Sequence, residues 1–483
     1  MNSKPKHMHP LAIVQQSLAV AWVPFLKAVF RGEDTLVQTI GTALLIWLIM
    51  IIIVALPAYF STTYQLTDDA LILRRGIFKR SVVQVNYARI QTVQHKQWFF
   101  LKPFALTSIM VETAAHAGDE PEVKLDCVPV SLISEIERRQ AAWRQAGDAN
   151  GLLNADEAKF ARDTAMPLWH ASLDDRGLWA YALTSLSFLP LFLIVLGIWK
   201  LADSLDVTHG WVARIIHAGL ALRGWPLLAT LVGGLVLALL VGIGLTVLRY
   251  WHYDASFDGA HLRVTKGLLQ LTNASAETER IQLLSYEQNV LRRCLGKGTT
   301  LAILAAGGSD DDADSSSLTL LPLTARAQVW QQLRPLAKWL PEQMPAQTHF
   351  TTGTFALVRN AVLLSLCVIV PALIWLRPLG YVLLLLLLLA VSFGLFAGKT
   401  RALGITDDLV YVSTGATLGR TDRVFTAEHV QSLALKQSWW MTRSHLVHIV
   451  WHLRMGNGDL EVELRYVPEQ VGRDVYAWYQ DHL

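Results

Sequence analysis

At 483 residues with a formal net charge of +3, the chain is too long for one ordinary core and too nearly neutral to imply a nucleic-acid partner. A length of about 150 residues per domain predicts about three units. Apolar residues make up 52% and charged residues 17%, but the charges are uneven: long stretches carry none and others read as ordinary soluble protein, as in alternating membrane and aqueous segments. Cys127, Cys294 and Cys367 are odd in number and far apart. They draw no disulfide framework or CxxC knuckle, which fits a reducing compartment for the aqueous parts.

In chain order, Lys4 and Lys6 precede an apolar stretch with no small-residue cleavage site after it, so the stretch reads as retained. A helix needs about 20 apolar residues to cross the hydrocarbon core. Residues 36–59, 178–199, 225–248, 355–375 and 379–397 meet this. A sixth segment, 11–30, is interrupted by Gln15, Gln16, Ser17 and Lys27, and can either span or lie in the interface. Gly233, Gly234, Gly242 and Gly244 suit close helix contact in lipid.

These segments pair into three hairpins, which returns every aqueous block to one face. Lys and Arg near the span ends are more numerous on the domain side, pointing to the cytoplasm. The expected order is a hairpin at 1–60, a domain at 61–146, a linker at 147–177, a hairpin at 178–249, a domain at 250–340, a linker at 341–354, a hairpin at 355–397 and a domain at 398–483.

The aqueous blocks repeat one plan. The first opens YQLTDDALILRRG, the second DASFDGAHLRVTKG and the third LGITDDLVYVSTG. Each has an acidic turn (Asp68-Asp69, Asp258-Gly259, Asp407-Asp408) and then a β-like stretch ending at Gly76, Gly267 or Gly415. An Ile/Val-Gln pair follows 14 or 15 residues later, at Gln91, Gln282 and Gln431. A second glutamine comes six residues on, at Gln97, Gln288 and Gln437. Then come another apolar stretch, a proline (Pro129, Pro322, Pro468) and an amphipathic helix with a tryptophan (Trp143, Trp330, Trp478). Residues 82–87, 90–96, 108–113 and 123–128 alternate as half-buried strands do. A proline suits a first helical turn, where its missing N–H has no intrahelical partner.

The sequence TDDxLxxxxG, then RIQxVxxxQ, then a proline-led helix resembles the bacterial pleckstrin-homology-like domain of the YdbS/YdbT-like membrane proteins. Three such domains, each after a membrane hairpin, resemble the YdbT-like branch. The resemblance covers nearly the whole chain, with block two departing at Phe257-Asp258-Gly259. It implies a membrane α plus β fold: about six transmembrane helices in three hairpins, alternating with three small β-barrel or sandwich domains, each capped by a C-terminal helix. It brings no catalytic residues and no cofactor.

The paired glutamines can bind a shared ligand or bond the backbone that fixes the fold. After the second glutamine, Trp98-Phe99-Phe100-Leu101-Lys102 and Trp439-Trp440-Met441-Thr442-Arg443 set aromatics beside a cation, where block two has Arg292 and Arg293. Such loops suit a lipid headgroup layer or a partner, or fold back as core. The run Ser309–Ser315 has EF-hand spacing at Asp310, Asp312 and Asp314. It lacks the glycine and the bidentate glutamate, and reads as a solvated loop. His448 and His452 alternate with apolar residues, as on the outer face of a strand. No Walker loop, GxSxG, HExxH or GxGxxG occurs, and the span centres hold no charged residue.

The expected function is therefore a non-enzymatic membrane scaffold assembling proteins at the bilayer. The resemblance implies a single-domain relative as partner, and a role in envelope stress or antimicrobial-peptide defence. The alternatives are a lipid-headgroup sensor and, more weakly, a transporter.

Overall fold

The computed structural model describes residues 5–20, 36–76, 80–87, 90–113, 123–147, 167–185, 225–259, 261–304, 317–375, 384–416, 418–455 and 458–482. Expectations for 21–30, 186–199, the acidic run 309–315 and 379–383 fall outside them.

The first copy contains β1 (Lys6–His7), β2 (Thr63–Leu66), β3 (Ala70–Arg75), β4 (Ser81–Asn86), β5 (Ile90–Trp98), β6 (Leu106–Thr113), β7 (Val123–Pro129) and the helix Ser131–Gly147. The second contains β8 (Trp169–Ser172), β9 (Asp254–Phe257), β10 (His261–Lys266), β11 (Gln270–Glu277), β12 (Ile281–Gln288), β13 (Lys297–Leu304), β14 (Ser317–Ala325) and the helix Val329–Leu333. The third contains β15 (Thr348–His349), β16 (Ala402–Ile405), β17 (Leu409–Ala416), β18 (Gly419–Thr426), β19 (Val430–Lys436), β20 (Leu446–Met455), β21 (Gly458–Pro468) and the helix Glu469–Gln480.

Within a copy, the four-stranded and three-stranded sheets enclose one core. In the first, Leu71 and Leu73 of β3 meet Ile109 and Val111 of β6 and Val123 and Leu125 of β7, all buried at a spacing of two. Ile136 of the C-terminal helix closes the core. Each such side chain contributes about 1.5–3 kcal/mol by leaving water.

Three expectations need correction. The sheets do not close into barrels. Instead β5 pairs with β11 and β12 pairs with β18, so the three-stranded sheet of one copy and the four-stranded sheet of the next form a single seven-stranded sheet, twice over. Edge-to-edge hydrogen bonding satisfies the open edges that closure would otherwise remove. The segments 147–177 and 341–354 are more than linkers: they carry β8 and β15, which join β9 and β16 across the membrane hairpins. Likewise β1 pairs with β2. Each hairpin is thus inserted between the first two strands of its sheet. Pro322 lies inside β14, seven residues before its helix, whereas Pro468 caps the helix Glu469–Gln480.

Among the described residues three helices, not six, are long and apolar enough to cross a membrane: Ile40–Ser61, Val232–Tyr250 and Thr354–Pro371. Leu385–Thr400 is apolar but shorter. The helix Leu11–Val20 docks on the first domain: Gln15 Nε2 donates to Ser108 Oγ at 2.8 Å, and Ser17 O accepts from Trp47 Nε1 at 3.3 Å. Among the described residues, nothing lies within 4 Å of a Cβ placed on Gly233, Gly234 or Gly244. Among the described residues, the close helix contact is at Gly394 and Gly398, which face Val358 and Thr354 with no room for a side chain.

A candidate membrane-proximal interface

The signature residues first make the scaffold. Gln91, Gln282 and Gln431 each sit at a register shift opposite β6, β13 or β20, the extra residue of a bulge that bends the strand. The second glutamines all span a loop. Gln97 Nε2 donates to Leu106 O at 2.9 Å, Gln288 Nε2 to Lys297 O at 2.9 Å and Gln437 Nε2 to Leu446 O at 3.1 Å. Each loop ends on a left-handed residue, Ala105, Gly296 or His445.

The acidic turns are hairpin turns, and in the first and third copies the C-terminal helix binds them. Arg139 donates to Thr67 O beside Asp68, and Trp478 Nε1 donates to Thr406 O and Asp407 O, both at 3.1 Å. Asp69 O and Asp408 O accept from Tyr87 N and Ala427 N, and Asp258 Oδ1 accepts from His261 N at 2.8 Å. Gly76 and Gly267 have φ of +116° and +112°, whereas Gly415 lies inside β17, crowded by Thr400. Pro129 and Pro468 end β7 and β21.

The loops closed by the second glutamines all lie beside the membrane helices. In the first, Trp98 and Phe100 fold back onto the core, while Phe99, Lys102 and Phe104 stay exposed. Phe99 N donates to Leu269 O at 2.7 Å, and Leu268 N donates to Leu248 O at the end of the helix Trp225–Tyr250.

In the second loop, Asn289 caps the short helix Val290–Cys294 and donates through Nδ2 to Thr184 O at 2.7 Å. Arg292 is buried, its guanidinium 4.2 Å over the Tyr181 ring and bonded to Thr299 Oγ1. Arg293 stacks 4.0 Å over Phe396 of the helix Leu385–Thr400. Such stacks contribute about 0.5–2 kcal/mol, more when water is excluded.

In the third loop, Arg359 of the helix Thr354–Trp375 lies 4.3 Å over Trp440, whose ring also meets Tyr466. Asn360 Nδ2 donates to Tyr466 Oη at 2.6 Å. Trp439 is 74% exposed with Arg443 5.2 Å over its ring. The buried Arg401 ties the hairpin's two ends together: it donates to Thr352 O at 2.6 Å before the span, and to Arg465 O and Tyr466 O on β21.

The loops therefore divide the aromatic and basic residues between two roles. Trp98 and Phe100 pack on the first core, while Trp440, Arg292 and Arg293 fasten the domains to the spans. Phe99, Phe104 and Trp439, with Leu291 and Leu295, form an exposed apolar fringe at the level of the helix ends. Tyr181, Thr184, Phe396, Tyr466 and Arg401 carry no sequence signal, because each acts on a partner remote in the chain; only Arg359 and Asn360 stand out, as polar residues near a span end. His448 lies on the face of β20 away from the core residues Ile449 and Trp451, where its Nδ1 is 2.8 Å from Glu463 Oε1 and its ring packs edge-on to Tyr466. No group of three His, Cys, Asp or Glu among the described residues could hold a metal ion.

Comparison with known proteins finds a model of the bacterial PH domain matching residues 18–142, 188–337 and 360–483. Each matched stretch begins after β1, β8 or β15 and takes in the remaining strands of its copy. Over 99% of both chains, the sequence is 24% identical to the UPF0699 transmembrane protein YdbT of Bacillus subtilis (strain 168). No solved structure matches the chain.

Proposed function

The chain belongs to the bacterial PH domain family, three times over, and from that premise we propose a non-enzymatic membrane scaffold presenting its domains to protein partners on the cytoplasmic side. One observation carries this reading: two seven-stranded sheets run across the domain boundaries and fuse three domains into one platform at the ends of apolar helices. A platform held by backbone hydrogen bonds keeps fixed distances between its binding faces, which a scaffold needs and three tethered domains would lack. The partners are other membrane proteins, a single-domain relative among them. The sequence resemblance attaches this assembly to envelope stress or to defence against membrane-active peptides.

The test is affinity capture of the full chain from detergent-solubilised native membranes. Defined partners in fixed ratio support the scaffold; a chain recovered without partners from cells under envelope stress rejects it.

The exposed Trp439 beside Arg443 favours a second reading, contact with lipid headgroups. An environment-sensitive fluorophore on Trp439→Cys, in the full chain reconstituted into vesicles, distinguishes the two. A blue-shifted emission that grows with anionic lipid supports headgroup contact. Emission like that of a water-exposed dye, in every lipid, rejects it.

A further inference from the structure

The three copies are joined by one repeated rule, and the rule stops at two strands. Along the first joint His95 lies opposite Asn273 and Gln97 opposite Leu271; along the second, Tyr286 lies opposite Asp422 and Gln288 opposite Arg420. Counting from the second glutamine on one side (Gln97, Gln288) and back from the first glutamine on the other (Gln282, Gln431), these registers are identical. The strand that donates its edge is β5 in the first copy and β12 in the second; its counterpart in the third is β19. The strand that receives it is β11 in the second and β18 in the third; its counterpart in the first is β4. Among the described residues, no strand flanks residues 81–85 of β4 or 432–436 of β19 on their outer sides.

Among the described residues these edges carry little guard: β19 has one charge, Lys436 at its end, and β4 has none. Exposed edge strands are ordinarily blunted by charge, proline or shortness. β4 reads Ser-Val-Val-Gln-Val-Asn over six residues, without a charge or a proline. Its Val82 is 63% exposed, whereas Asp422, the equivalent residue of β18, is fully buried in its joint. On β19, Leu435 is partly exposed where its equivalent Tyr286 is buried. The two inner joints are lined by polar pairs: Asn273 Nδ2 lies 2.7 Å from His95 Nε2, and Asp422 binds Arg326 and Arg420. The same register carried one step further sets Leu435 against Val82, an apolar pair that leaves no polar group unsatisfied.

We infer that β19 of one copy of this chain pairs with β4 of a second copy, head to tail. Leu433 then faces Gln84, Ala434 faces Val83, Leu435 faces Val82 and Lys436 faces Ser81. Two different surfaces meet, so the contact is heterologous and generates a row or a ring of domains, every joint alike. The inference deepens the scaffold reading and rests on it: the platform's first partner is another platform.

The test uses the full-length protein with Cys294 and Cys367 replaced by serine. Two differently tagged copies are co-expressed, one carrying Ser81→Cys and the other Lys436→Cys, a pair whose opposed strand positions fall within disulfide reach. A mixed-tag disulfide dimer is expected, formed only when both cysteines are present. It is expected to fall at least tenfold when Val82→Lys is added to the copy carrying Ser81→Cys, which sets a second charge beside Arg80 and against Leu435. Because Val82 is exposed, that variant keeps its folded elution profile. Pairing confined to one chain carrying both cysteines overturns the inference, as does no pairing, or capture of a smaller PH-domain protein by the cysteine at 81 or 436. If copies fail to pair while native-membrane capture still recovers partners, the scaffold reading stands and this inference alone falls.

Discussion

Arg326 Nε, in the second domain, lies 2.9 Å from Asp422 Oδ2, in the third, and Arg420 Nε lies 2.8 Å from the other carboxylate oxygen. Ser413 Oγ donates to the same carboxylate at 2.7 Å, and Arg326 also reaches Tyr411 Oη at 3.2 Å. Burial would push the Asp422 carboxyl up, but the two guanidiniums outweigh it and hold the group below the usual carboxylate range. Replacing Asp422 by Asn leaves two guanidiniums without their counter-charge, one of them largely buried. The expected loss is about 3–5 kcal/mol, the cost of breaking a buried pair. Arg326 is partly exposed, so Arg326→Met costs less. Denaturant titration in detergent gives both values.

The same carboxyl sets a pH dependence. Its folded pKa is depressed, so its contribution is complete above the unfolded value of about 3.9 and is lost as pH falls through the folded one. Stability from this group is therefore flat from about pH 5 to 8 and falls only below about pH 4. Thermal melts of the native chain and Asp422→Asn across that range should converge at the acid end. Parallel curves down to the lowest pH would refute the assignment.

The loop-closing glutamines are equivalent in role and differ in burial. Gln288→Leu, at the most buried of the three, removes the hydrogen bonds to Lys297 O and Tyr286 Oη, costing about 1–3 kcal/mol. Gln97→Leu and Gln437→Leu should cost less, since water reaches their loops. A glutamine that served a ligand would instead cost binding and spare the melting temperature.

Gly267 and Gly296 both have positive φ but in different surroundings. A Cβ on Gly267 meets Gln270 O, while one on Gly296 meets open space at φ of +65°. Gly296→Ala should cost about 1–2 kcal/mol, the ordinary left-handed penalty for an L-residue. Gly267→Ala should cost clearly more, read as a lower yield of folded protein.

Trp439 and Trp440 are neighbours with opposite expected behaviour. Trp439→Ala should leave thermal stability within about 0.5 kcal/mol, because the side chain is exposed. Trp440→Ala loses the Arg359 stack and the Tyr466 contact, and should lower the melting temperature in detergent. Equal effects would contradict the division of the loop into fastening and fringe.

Continuous sheets allow no bilayer between domains, so epitope tags in the turns at 68–69, 258–259 and 407–408 must all report from one side. A tag protected on the opposite side from the other two would break the sheet assignment.

What could be read from the residues alone was whatever neighbours in the chain decide. Alternation placed β4 to β7 to within two residues, the acidic turns proved to be hairpin turns, and the spacing of Gln97, Gln288 and Gln437 marked three equivalent loops whose bonds span nine residues. Such features depend on side-chain period, turn chemistry and short reach, all written locally. The choice of β11 for β5, of β18 for β12 and of β8 for β9 was not written there, because ladder hydrogen bonds join backbone groups that every residue carries. Only the folded arrangement of edges decided which strands meet. With them it decided the Arg326–Asp422 contact, the insertion of each hairpin between paired strands, and the two edges, on β4 and β19, that no described strand flanks.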